Sequence, residues 1–106
     1  MEIVLFVEPK NYQKVKDILL KDEEVSKASI VFKDARNYGK GEGYYIYISG
    51  LEEQCKKALE IVKEKDEEGN TVELAEEVKD KERGEFIRKI KEEENKANEA
   101  FGGIFG

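Results

Sequence analysis

The chemically able side chains concentrate in one stretch, Lys33-Asp34-Ala35-Arg36-Asn37-Tyr38-Gly39-Lys40-Gly41-Glu42-Gly43. It holds three cations, one aromatic ring and three glycines. Arg36 can grip a phosphate or carboxylate with two parallel hydrogen bonds, and Lys33 and Lys40 add point charges. Glycines let backbone N–H groups come close to an anion. Lys33, Arg36, Tyr38 and Lys40 are therefore expected to form a loop that takes a small anionic ligand or a protein partner. The competing expectation is a solvated hairpin tip whose charges serve solubility. A second cluster closes the chain, Ala100-Phe101-Gly102-Gly103-Ile104-Phe105-Gly106. There Phe101, Ile104 and Phe105 on glycine hinges are expected to dock, either in a groove of a partner or neighbouring copy or back on the chain's own core.

Catalytic machinery is sparse. With no histidine, the commonest general base and metal ligand is missing. Cys55 is the only cysteine. It falls on an apolar helical stripe, where a thiol serves as a small core residue, and alone it builds neither a disulfide nor a structural zinc site. The carboxylates do not follow a calcium-loop spacing. No catalytic residues, no metal and no cofactor are expected, and the chain reads as a non-enzymatic module.

Charge narrows the partners. Residues 1–50 carry eight acids and eight bases, and residues 51–106 carry 17 acids and 11 bases, which accounts for the net −6. Phosphate backbones and anionic membranes attract clustered Lys and Arg. The acidic second half disfavours broad nucleic-acid binding and a membrane surface. No signal sequence precedes the first apolar run and one cysteine suits a reducing compartment, so a cytoplasmic protein is expected. Abundant Glu and Lys with one Met and no Trp resemble thermophile usage.

Several elements must position these groups. Ile3 to Val7 is an unbroken apolar run, the mark of a strand buried on both faces. Glu8-Pro9 ends it, and Tyr12, Val15, Ile18 and Leu19 then fall at helical spacing over 10–21. Ala28, Ile30 and Phe32 alternate as a strand over 27–32. The loop 33–43 follows, and Tyr44-Tyr45-Ile46-Tyr47-Ile48 returns as the hairpin partner. Ser49-Gly50 is expected to cap a second helix with Cys55, Ala58, Leu59 and Val62 inside, decaying through Lys65-Asp66-Glu67-Glu68 and stopping at Gly69-Asn70. Residues 71–78 suit either a short strand or a helix, and the strand is favoured because the sheet needs a fourth member. Phe86, Ile87 and Ile90 mark one face of a helix over 81–100.

This order resembles the split β-α-β pattern of ferredoxin-like domains. The resemblance implies an α+β fold, a βαββα(β) two-layer sandwich with an extra C-terminal helix. Its divisions are a ferredoxin-like domain at 1–80, the charged helix at 81–100 and the apolar glycine-rich tail at 101–106. Both domain helices would then lie on one face of an antiparallel sheet. Along the third strand Ile46 and Ile48 suit the core, so Tyr45 and Tyr47 are expected on the open face with Phe6, forming a contact surface for self-association into a homo-oligomer.

Two further resemblances follow the same strand order. Leu5-Phe6-Val7-Glu8-Pro9 and Lys40-Gly41-Glu42-Gly43-Tyr44-Tyr45-Ile46-Tyr47 look like the first-strand hexamer and third-strand octamer of RNA recognition motifs. The resemblance covers residues 3–65 and implies base stacking on Phe6 and Tyr44. Glu42 stands where that family places a second stacking aromatic, Tyr45 replaces a buried aliphatic residue, and Pro9 replaces the polar end of the hexamer. The order also looks like small sensor domains such as the P-II and ACT families. In P-II proteins the long loop between the second and third strands signals, which resembles 33–43. Their glycine-rich nucleotide-binding segment is absent, since Asp66-Glu67-Glu68-Gly69-Asn70 is acidic there. An interaction or small-ligand sensor module is the leading expectation, and a degenerate single-stranded RNA-binding domain is the alternative.

Overall fold

In the computed structural model the backbone is described for residues 1–105 and the side chains for residues 1–93. The first strand, β1, covers Glu2–Val7. Pro9 then opens α1 at Pro9–Lys21, where its missing N–H costs nothing and its fixed φ suits a first turn. Asp22 takes over at the end of α1, accepting hydrogen bonds from the backbone N–H groups of Glu24 and Val25. The chain enters β2 at Ser29–Asp34, crosses a short 3-10 turn at Ala35–Tyr38 and returns through β3 at Tyr44–Ser49.

The second helix, α2, spans Glu52–Ile61. It starts at Leu51, whose N–H donates to the Gln54 side chain, rather than at Ser49-Gly50. It also ends earlier than its charge pattern suggests. Lys63–Lys65 forms β4, which pairs antiparallel with β5 at Thr71–Glu73 in a separate two-stranded sheet. The turn between them is an Asx turn. The Asp66 carboxylate accepts from the N–H groups of Glu68 and Asn70, and Gly69 takes the left-handed φ of +84°. The signal at Gly69-Asn70 thus belongs to a hairpin and not to a helix end. Leu74 and Ala75 then drop into the core, with Leu74 N–H donating to Val62 O at 2.8 Å. Glu76–Val78 forms β6, the expected fourth strand of the main sheet.

The main sheet is fully antiparallel in the order β2-β3-β1-β6. Its register places Val4 opposite both Tyr47 and Val78, and Phe6 opposite Tyr45. Alternation then sorts side chains between two cores. Ile3, Leu5, Val7, Ile46 and Ile48 pack with Val15, Leu19, Cys55 and Ala58 on the α1 and α2 side. Val4, Tyr45, Tyr47 and Val78 pack with Phe86 and Ile90 on the opposite side.

Phe86 and Ile90 belong to α3, Asp80–Phe105, and this helix changes the architecture. It lies across the face that the two-layer reading left open, so the main body has three layers: two helices, the sheet and a third helix. Tyr45 is 3% exposed and Tyr47 8% exposed. The expected open aromatic surface of Phe6, Tyr45 and Tyr47 is therefore covered: the two tyrosines are core, and Phe6 packs half-buried at its margin. Two buried tyrosines with their strand neighbours present more apolar area than water tolerates, and the stripe of Phe86, Ile87 and Ile90 needs a surface to cover. Each satisfies the other.

Candidate functional site

The loop between β2 and β3 is held in one shape by local chemistry. Asp34 caps its 3-10 turn by accepting the Arg36 N–H at 2.9 Å, and Gly39 closes it in the left-handed region. Gly43 brings the chain back into β3 at φ +133°, against Phe6. A Cβ at Gly43 would stand 2.5 Å from the Phe6 ring, so a glycine is needed both for its φ and for the close approach.

The structure places the four predicted loop residues and shows what each one meets. Arg36 turns back on Asp34, with Nη2 to Oδ2 at 2.8 Å and Nε within 3.3 Å of both carboxylate oxygens. The guanidinium so held keeps the Asp34 carboxyl below its ordinary pKa. Lys33 meets Glu93 of α3 at 3.3 Å. The Tyr38 hydroxyl donates to the same carboxylate at 3.0 Å. Lys40 meets Glu82, also on α3, at 3.7 Å. The Tyr45 hydroxyl donates to Glu82 at 3.3 Å. Burial, joined by these carboxylates, pushes the phenols of Tyr38 and Tyr45 up to about 12.

The loop cations therefore face acids of their own chain instead of converging on an empty anion site. Lys33, Tyr38 and Lys40 act together as a clasp for α3. The aromatic contacts beneath are close: Phe86 lies 4.4 Å from Tyr45 and 4.9 Å from Tyr38 between ring centroids, and Tyr45 meets Phe6 edge-on at 5.5 Å. Glu82, Phe86, Ile90 and Glu93 recur at helical spacing on α3. That periodicity was available in the sequence, although nothing local tied the two acids to the loop.

The two aromatics carrying the resemblance to RNA recognition motifs do not share a platform. Phe6 faces α3. Tyr44 faces α1, stacked on Tyr12 with centroids 3.7 Å apart and planes 13° from parallel. Base stacking needs both rings on one accessible face.

Other chemistry is modest. The Cys55 thiol is buried on α2, 3.5 Å from Met1 O, and burial raises its pKa, which weakens it as a nucleophile. Among the described residues no group of three or more His, Cys, Asp or Glu is placed to hold a metal ion. A cleft of about 340 Å³ runs beside β6, where Glu76, Glu77 and Glu82 face Lys40 and Lys79. Its mixed charges fit no single small ion. No helix among the described residues is long and apolar enough to cross a membrane. The side chains of Phe101, Ile104 and Phe105 lie outside the described residues. No family model, characterised protein or solved structure matches this chain.

Proposed function

We propose that this chain is a non-enzymatic, self-associating interaction module built on a ferredoxin-like βαββαβ sandwich. The strand order β2-β3-β1-β6 supports the ferredoxin-like reading, with β6 as the fourth strand and α3 as an addition. The sheet face that the sequence offered as the contact surface is already occupied by α3, so the contact moves elsewhere.

One observation carries the proposal. α3 leaves β6 at one edge of the sheet, and by Glu93 it has reached Lys33 in β2 at the other edge. The helix continues to Phe105, and residues 94–105 add about 18 Å of helix after Glu93 at 1.5 Å per residue. Ala97, Ala100, Phe101, Ile104 and Phe105 fall in that run at i, i+3, i+4, i+7 and i+8. This is the spacing of an apolar helical face. A helix with that spacing after its contact with β2 is suited to a partner. The small-ligand sensor reading has less support, because the loop cations it needs are paired within the chain.

The test is mass in solution by light scattering with sedimentation equilibrium. The full chain should exceed the mass of one copy, and Phe101→Glu with Ile104→Glu should return it to one copy while circular dichroism stays unchanged. A full chain of single-copy mass at every concentration refutes self-association.

A further inference from the structure

We infer that the associating surface is the free edge of β2, and that two copies join there into one continuous antiparallel sheet. The inference rests on the self-associating reading and names its surface from a separate observation, the contrast between the two sheet edges.

One edge is β6, three residues long, Glu76-Glu77-Val78, with two acids and a buried valine. Short, charged edges discourage pairing with another chain. The other edge is β2, six residues long, Ser29-Ile30-Val31-Phe32-Lys33-Asp34, and among the described residues no strand pairs with its outer side. It has no proline, and its centre is three consecutive apolar residues, all only half-buried. An edge this long and apolar is a ready template for another strand.

Hydrogen-bond direction identifies the groups on offer. The Ala35 N–H donates to Gly43 O at 2.9 Å, continuing the pairing of β2 with β3. In an antiparallel ladder alternate residues point toward the same neighbour, so Val31 and Lys33 also direct their backbone groups to β3. The N–H and C=O of Ile30 and Phe32 then point outward.

The strand is complementary to itself. Residues directly opposite in an antiparallel pair share a face. A two-fold axis at Val31 places Val31 against its own copy, Ile30 against Phe32, and Ser29 against Lys33. Every apolar residue meets an apolar one, and the outward groups of Ile30 and Phe32 form the hydrogen bonds. The same axis puts both α3 helices on one face of the joined sheet, so the run of α3 that follows Glu93 is directed toward the α3 layer of the second copy. One occupant, a second copy, thus meets both the unpaired edge and that run of α3, which a peptide strand alone would not do.

Cross-linking tests the register. Val31 against its copy is a non-hydrogen-bonded pair, with Cα atoms about 4.5 Å apart, within the range a disulfide spans. Ser29 would sit four residues out of register with its own copy, roughly 13 Å away by the strand rise. Cys55 is buried and does not compete. Under mild oxidation Val31→Cys should convert to a covalent dimer at least tenfold faster than Ser29→Cys, although Ser29 is the more exposed. Val31→Lys should lower the mass to one copy with its circular dichroism intact. A full chain of two-copy mass whose Val31→Cys variant cross-links no faster than Ser29→Cys overturns the β2 interface and leaves self-association standing. Single-copy mass of the unmodified chain overturns both.

Discussion

Truncating Phe86 to alanine tests the placement of α3 directly. The ring is 5% exposed and lies between Tyr45 and Tyr38, with Ile90 one turn away on the same face. Phe→Ala in a packed interior costs about 3–5 kcal/mol through lost transfer and the cavity left behind. The lower end applies, because α3 is an outer layer and can settle toward the sheet. The cost is then about 3 kcal/mol, of which the two ring contacts supply about 1–2 kcal/mol. At about 2.1 cal/mol/K of unfolding entropy per residue, a domain of this size loses roughly 13 °C in Tm. The assay is calorimetry with parallel urea unfolding, using Glu85→Ala as a control on an exposed neighbour, expected within about 0.5 kcal/mol of the unmodified chain. If Phe86→Ala shifts stability by less than that control, α3 does not belong to the cooperative core. The Tyr45 and Tyr47 face would then be open after all.

Three other perturbations probe separate parts of the molecule. Tyr38 and Tyr45 hold their protons to about pH 12, above the ordinary 10 of a phenol. A raised folded pKa contributes stability that is complete below pH 10 and lost as pH climbs through 12. Ultraviolet absorbance during alkaline titration should therefore show Tyr38 and Tyr45 ionising late, with stability falling over the same interval, and a late phase that persists undiminished in the Tyr38→Phe and Tyr45→Phe variants would contradict the clasp. Gly43→Ala places a side chain at φ +133° and drives a Cβ into Phe6, so urea unfolding should show a loss of about 1–3 kcal/mol; a neutral effect would mean that the loop does not close on β1 as described. Cys55, buried with its thiol pKa raised, should react with a thiol reagent only at the rate of unfolding, and rapid labelling of the native chain would place it at the surface.

Local periodicity made much of the fold legible. The unbroken run Ile3–Val7, the 3.6-residue spacing through Leu19 and the alternation in Tyr44–Ile48 each report the faces of one element, and those elements appear close to their expected bounds. The end of α2 is not legible in the sequence, because Glu and Lys suit an exposed helix as well as an exposed hairpin. The Asx turn at Asp66 and the pairing of Lys63 with Glu73 decide between them. The candidate site was half legible. Arg36, Tyr38 and Lys40 do share the loop, while Lys33 ends up in β2, and the acids that Lys33, Tyr38 and Lys40 meet were undetermined, because Glu93 and Glu82 lie about 40 to 60 residues away in the chain.

By itself the sequence determined the element types, which residues of each strand share a face, and that Tyr45 and Tyr47 lie opposite Ile46 and Ile48. Those facts follow from backbone geometry within a few residues. Only the tertiary structure decided what lies over the tyrosine face, because that depends on the path α3 takes across the sheet after the turn at Lys79-Asp80. Periodicity says that a helix has an apolar stripe. It does not say whether the stripe finds its surface on the same chain or on another; for Phe86 and Ile90 the surface is their own sheet.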